Sequence, residues 1–235
     1  MFAFGLTACR RIGPRMADVL LQPLTNRFSD ALTFAAEIHR HQPRKGTQIP
    51  YVSHVIGVAS IALDYGADED EGITALLHDA IEDAPDSLGP SKAAVVRGRI
   101  LSAFGPRVLE IVEGCTDADV TPKPAWRKRK EDYIAHIADA SASVTMVSAS
   151  DKLHNARAVL NDFRVGGVNI FDRFNREAGV AGTIGYYCGL VSAFQLRAPQ
   201  LADARLVPLI AELARTVSAL EEEVGVGGVW PLASA

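Results

Sequence analysis

Apolar residues recur along this chain at intervals of three and four, and period-two alternation is hard to find, so helices are expected almost throughout. Phe28, Ala31, Leu32, Ala35, Ala36, Ile38 and His39 trace one helix from Asn26 to His41, and Gln42-Pro43-Arg44-Lys45-Gly46 has the composition of a loop. Pro50 suits a helical first turn, and the helix it opens carries His54, Val55, Val58, Ala59 and Ala62 on to Gly66, which places His54 near the start. Asp68 to Glu71 provide acidic residues for the positive end of a third helix, whose buried stripe is Ile73, Leu76, Leu77 and Ile81. That helix is expected to run through Asp83 and to stop at Ala84-Pro85. Further helices are predicted over 91–104, 106–115, 125–138, 143–160, 179–197 and 199–224, with Gly166-Gly167 as a loop.

The expected fold is therefore all-α, a single domain of about ten helices. At 235 residues and 48% hydrophobic composition the chain has ample material for one core. The domain is expected over 24–224, with an N-terminal leader over 1–23 and a C-terminal tail over 225–235. Leu6-Thr7-Ala8-Cys9 looks like a lipoprotein cleavage box, but no basic residue precedes it and the apolar stretch is short. A leader with Met16 as the natural start is the simpler reading. The three cysteines, Cys9, Cys115 and Cys188, have neither paired count nor CxxC spacing and read as free thiols in the cytoplasm. A net charge of −4 and the absence of an apolar run near roughly 20 residues argue against nucleic acid and membrane as partners.

One segment does not fit core filling. Leu77-His78-Asp79-Ala80-Ile81-Glu82-Asp83 gathers four ionisable residues at the end of an apolar helix, where unpaired charges cost several kcal/mol each. On a continuing helix His78 stacks over Glu82 and Asp79 over Asp83. His78 and Asp79 can then reach one cation, with Glu82 and Asp83 one turn further on and placed to act on a water. His54 upstream and Asp151 downstream, within Ser150-Asp151-Lys152-Leu153-His154-Asn155, complete a set of two imidazoles and two carboxylates. This donor set suits Mn²⁺, Fe²⁺, Zn²⁺ or Co²⁺ better than Mg²⁺. A divalent ion lowers the pKa of a water it binds from about 15.7 towards 7 and offsets charge on a phosphoryl oxygen, so phosphoester or pyrophosphate hydrolysis is the natural reaction class.

Bland roles compete for the remaining polar residues. His39, His41, His136 and His154 are each expected to be structural or exposed, although His154, three residues after Asp151, can also support a ligand from behind. Trp126-Arg127-Lys128-Arg129-Lys130 reads as a solvated helix face or a contact to substrate phosphate, since no wider basic field accompanies it.

His54, then His78-Asp79, then Asp151 resembles the pattern of the HD phosphohydrolase superfamily, and the likeness extends further. Gln42-Pro43-Arg44-Lys45, Pro50-Tyr51-Val52-Ser53-His54, Ala75-Leu76-Leu77-His78-Asp79-Ala80-Ile81-Glu82-Asp83, Arg127-Lys128-Arg129-Lys130 and Asp151-Lys152-Leu153-His154-Asn155-Ala156-Arg157 occur in order. Together, from about Leu24 to Leu196, they resemble the hydrolase domain of RelA/SpoT homologues, specifically the small alarmone hydrolases. The resemblance implies an HD-type helical bundle with a central metal site, and removal of the 3′-pyrophosphate from guanosine tetra- or pentaphosphate, usually with Mn²⁺. It implies that His54, His78, Asp79 and Asp151 ligate the ion and that Glu82 and Asp83 activate water. Arg44, Lys45 and Asn155 fall where the family contacts its nucleotide, and Arg157 and Tyr186 are further candidate contacts. In the segment Gly182-Thr183-Ile184-Gly185-Tyr186-Tyr187 the family can offer a basic residue for phosphate, whereas here no Arg or Lys lies between Gly179 and Tyr187.

The expected partner is thus a small pyrophosphorylated nucleotide, and the expected protein a stand-alone hydrolase without a synthetase domain. Three alternatives stay open on sequence. The same chemistry can act on an adenosine alarmone or on the 2′-phosphate of NADPH, because an apolar purine slot discriminates poorly without hydrogen bonds to the ring edge. A catalytically inactive nucleotide-binding module is the third.

Overall fold

A computed structural model describes residues 23–116, 124–174 and 178–227 of the chain. The expected leader and most of the expected tail lie outside the described residues, as do Cys9 and Met16. Among the described residues the secondary structure is helical, apart from one isolated bridge between Pro43 and Pro50 that closes the loop after the first helix. The α-helices are α1 (Asn26–Ile38), α2 (Val52–Asp64), α3 (Glu69–Leu77), α4 (Lys92–Phe104), α5 (Pro106–Cys115), α6 (Trp126–Ile137), α7 (Ala142–Gly166), α8 (Gly179–Arg197) and α9 (Leu206–Val224). The all-α expectation holds.

Local chemistry explains most of the boundaries. Thr25 caps α1 and Ser141 caps α7 through their side-chain oxygens. Asp68 and Glu71 form a reciprocal capping box on α3, with bonds of 2.9 and 2.8 Å, so the acidic cluster seen in sequence does start that helix.

Three boundaries differ from expectation. First, α3 ends at Leu77 instead of continuing through Asp83. The Nδ1 of His78 bonds the Ala75 carbonyl at 2.9 Å, the acceptor that a continuing helix would offer to the Asp79 amide. The backbone then runs through turns, with Ala80 N–H on Leu77 O, Asp83 N–H on Asp79 O and Ala84 N–H on Ile81 O. Second, α7 runs past Leu160 to Gly166, and a 3₁₀ helix follows over Gly167–Arg173. Third, the helix expected from Pro199 is split. A short 3₁₀ turn covers Ala198–Gln200, Ala202 takes a left-handed φ of 52°, and α9 begins at Leu206. Pro208 then falls in the first turn of α9, where its missing N–H costs nothing; inside one long helix it would have broken a bond.

Two apolar clusters share the interior. One is built from α1 to α5 with the start of α7, and the other from α6 to α9 with the rest of α7. Helix α7 belongs to both, and Ser148, Ser150 and Asp151 are buried along it. The polar residues singled out in sequence therefore meet where the two clusters join. No described helix is long and apolar enough to cross a membrane.

Candidate metal centre

Helices α2 and α7 and the turn after α3 each deliver part of one cluster. One ligand atom each from His54, His78 and Asp151 lies within 4.8 Å of the others, and all three residues are buried. His54 Nε2 stands 3.2 Å from Asp151 Oδ1, and His78 Nε2 stands 3.7 Å from the same oxygen. Asp79 Oδ2 is 3.0 Å from His78 Nε2 and 3.8 Å from His54 Nε2. With metal–ligand bonds of about 2.1 Å, neighbouring ligands are expected about 3.0–3.4 Å apart, so His54, His78 and Asp151 are close enough together that they could hold one ion, with Asp79 against both imidazoles.

The donor chemistry passes the same test. His78 gives its Nδ1 proton to Ala75 O, so the buried Nε2 presents a lone pair inward and has no hydrogen-bond partner. An orphaned buried acceptor of this kind calls for an ion or a proton. Burial opposes charging His78, but Asp79 and Asp151 outweigh it and push the imidazole up to about 9. The negative field at this nitrogen is one that a cation suits. Burial also works against the Asp151 carboxylate, yet Lys152 at 2.6 Å, together with His54 and His78, holds its pKa well below the usual carboxylate range. Asp79 is likewise held low against burial by His78, and accepts a short hydrogen bond from the Tyr51 hydroxyl.

One cavity reaches the centre at His54, and a second is walled by the residues that follow Asp79 in the chain. The first, of about 430 Å³, is lined by Arg44, Lys45, Tyr51, His54, Asn155, Arg173 and Tyr187, among others. Arg44 donates to Asn155 Oδ1 at 3.0 Å and to His154 Nδ1 at 3.2 Å. The second cavity, of about 800 Å³, includes Gln42, Glu82, Asp83, Lys92 and Arg99 in its walls. Gln42 Nε2 donates to Asp83 Oδ2 at 2.8 Å, while Gln42 Oε1 faces His39 Nδ1 at 2.7 Å.

A family model for the HD domain matches residues 31–176, the stretch that contains all four of these side chains. The chain belongs to the HD domain family. It is 34% identical over 131 residues to the guanosine-3′,5′-bis(diphosphate) 3′-pyrophosphohydrolase MESH1 of Danio rerio, covering 54% of this chain and 66% of that protein. It is 35% identical over 134 residues to MESH1 of Drosophila melanogaster, covering 56% and 68%. A solved structure of a metazoan orthologue of SpoT, described as hydrolysing ppGpp and acting in starvation responses, superposes with a TM-score of 0.60 at 25% identity. That superposition covers 88% of this chain and all of that one.

Within this HD domain two sequence-predicted residues lie away from the cavities. Arg157 points to α9, where it pairs with Glu212 at 3.0 Å. Tyr186 packs edge-on to Trp126 with Lys130 Nζ 5.1 Å from its ring centre, while its neighbour Tyr187 lines the cavity beside Arg44. Lys130 is thus a cation brought to this segment from another helix. Arg127 and Lys128 pair with Glu131 and Asp132 along α6, as a solvated helix face would.

Sequence reading assigned no role to Tyr51, Gln42 or Gly57. His154 is a structural histidine on sequence, with support of a ligand from behind as its second role. In the structure its Nδ1 lies 2.9 Å from His54 Nδ1. A Cβ at Gly57 would stand 2.3 Å from His154 Nε2, so the bare glycine makes room for that ring. Gly57 is three residues from His54 on α2, a spacing that places them on neighbouring faces, but nothing in sequence tells that His154 approaches from α7.

Proposed function

We propose that this HD domain is a metal-dependent pyrophosphohydrolase that removes the 3′-pyrophosphate of guanosine tetra- and pentaphosphate. The observation that carries the reading is the convergence of His54, His78, Asp79 and Asp151, at separations of 3.0 to 3.8 Å, beside a cavity lined by Arg44, Lys45 and Asn155. The names of the two MESH1 relatives and of the SpoT orthologue support it. His54, His78, Asp79 and Asp151 would hold the ion, with Mn²⁺ favoured by the mixed nitrogen and oxygen donors. When bound, a divalent cation supplies Lewis acidity, easing loss of a proton from water and offsetting negative charge on the phosphoryl group.

The protein's own groups do the rest. Asp83, with one oxygen held by Gln42, and Glu82 beside it take the proton of the attacking water. Arg44 is held edge-on by Asn155 and His154, which leaves its guanidinium plane as a platform for a purine. Lys45 and Arg173 in the same cavity suit phosphate oxygens. A cytoplasmic setting agrees with the free thiols of Cys115 and Cys188.

The test is to incubate the purified chain with Mn²⁺ and guanosine 3′,5′-bis(diphosphate), separating products by anion-exchange chromatography. GDP and pyrophosphate are expected, and chelation with EDTA should stop their formation. Parallel incubations with the adenosine analogue and with NADPH decide the base and the phosphate position; faster turnover of either, with the guanosine compound untouched, would overturn the substrate assignment. Gln42→Leu removes one hydrogen bond to a charged carboxylate. It is expected to lower kcat about tenfold or more with little change in KM, measured by steady-state kinetics.

A further inference from the structure

Arginine can only donate hydrogen bonds. Arg44 Nη1 lies 3.2 Å from His154 Nδ1, so that nitrogen must be the acceptor. The same Nδ1 is 2.9 Å from His54 Nδ1, and two acceptors cannot share a hydrogen bond, so the proton between the rings belongs to His54 and the single lone pair of His154 Nδ1 is shared between Arg44 and His54. A neutral imidazole carrying its proton on Nδ1 has its lone pair on Nε2, the atom that faces Asp151 at 3.2 Å. The donor pattern that begins at Arg44 therefore dictates which nitrogen of His54 is available at the centre. The two rings also stack at a tilt with centroids 4.8 Å apart, and Gly57 provides the space for that approach.

We infer that His154 is a positioning residue for His54, fixing the tautomer and orientation in which His54 offers Nε2 to the metal, and that it ties this ligand to the Arg44 loop. The inference rests on the reading of His54, His78, Asp79 and Asp151 as a metal centre. His78 has its own outer partner in the Ala75 carbonyl, so each imidazole is oriented from behind, one by backbone and one by another histidine. The arrangement places Arg44 one hydrogen bond from the support of a ligand, so the loop that lines the nucleotide cavity and the centre share a common element.

The test reads binding of Mn²⁺ alone to the full chain by isothermal titration calorimetry. His154→Phe keeps a ring against Gly57 and removes the acceptor. His154→Asn sets an amide oxygen close to where Nδ1 was and restores it. Mn²⁺ affinity is expected to fall about 10–100-fold in the Phe variant and to return close to the wild-type value in the Asn variant. Gly57→Ala keeps His154 but forces its ring away, and should weaken Mn²⁺ binding in the same direction. Wild-type affinity in the Phe variant, or equal losses in the Phe and Asn variants, would overturn the inference. If circular dichroism shows the Phe variant unfolded, wild-type affinity in Gly57→Ala overturns it instead. Asp151→Asn serves as the control: were it to bind Mn²⁺ as well as wild type, the metal-centre reading would fail and take this inference with it. Binding that depends on Asp151 but is indifferent to His154 sinks the inference alone.

Discussion

Asp151→Asn should abolish both Mn²⁺ binding and hydrolysis while leaving a folded protein. Asp151 Oδ1 stands 3.2 Å from His54 Nε2 and 3.7 Å from His78 Nε2, so it brings α7 to the two imidazoles at the centre. Loss of the several kcal/mol of charge stabilisation that a divalent ion supplies corresponds to about 10³-fold or more in rate. A thermal measurement separates the loss of the ion from a general loss of fold. At an Mn²⁺ concentration of about 100 Kd the wild-type domain gains about 2.7 kcal/mol, which for a domain of this size is a rise in Tm of roughly 5–10 °C. The Asn variant should show no such rise. It should also melt lower than the metal-free wild type, because Lys152 loses the carboxylate 2.6 Å away that pays for its burial. A metal-dependent rise in Tm equal to that of the wild type would remove Asp151 from the ligand set.

Asp83→Asn and Glu82→Gln should give the opposite pattern, an intact metal site with slow chemistry. Neither side chain is in the His54, His78 and Asp151 cluster, yet both line one cavity and Asp83 is tied by its N–H to the Asp79 carbonyl. General acid–base assistance contributes about 10²–10⁴-fold, and that is the expected fall in kcat for the residue that takes the proton. Asp83→Asn is expected to be the more severe, because Gln42 already fixes one of its oxygens and thereby directs the other. Mn²⁺ affinity, read by calorimetry, should change little in either variant. Full activity in Glu82→Gln with loss in Asp83→Asn would assign the proton transfer to Asp83 alone; full activity in both would move that role elsewhere. Gln42→Leu introduced into Asp83→Asn should then slow the enzyme no further, since the group it orients is already gone.

How much of this was legible in sequence depends on whether a contact is local. Helical periodicity, the acidic cap at Asp68 to Glu71 and the His and Asp motifs are statements about neighbours along the chain, and these were readable. In sequence the motif is expected on an uninterrupted helix; α3 stops at Leu77, yet the Asp83 N–H still bonds Asp79 O at 2.9 Å, so Asp83 follows Asp79 by one helical turn. The His78 Nδ1 bond to Ala75 O takes the acceptor of the next helical turn, and α3 gives way at Leu77 to a run of turns. Tyr186 and Tyr187 illustrate the same limit: adjacent residues of one helix face different surroundings, and only the rotation of α8 against α6 and α7 tells which of them lines the cavity.

By itself the sequence determined an all-α chain and the identity of the groups that gather at its centre, because residue type and helical spacing are encoded locally. The tertiary structure decided which atoms of those groups meet. Arg44, His54 and His154 are separated by 110 and 100 residues along the chain, and their shared hydrogen bonds depend on packing α2 against α7 with only a hydrogen atom at Gly57 between them. Proton position on an imidazole is set by what stands behind it, and no spacing rule along one chain specifies that.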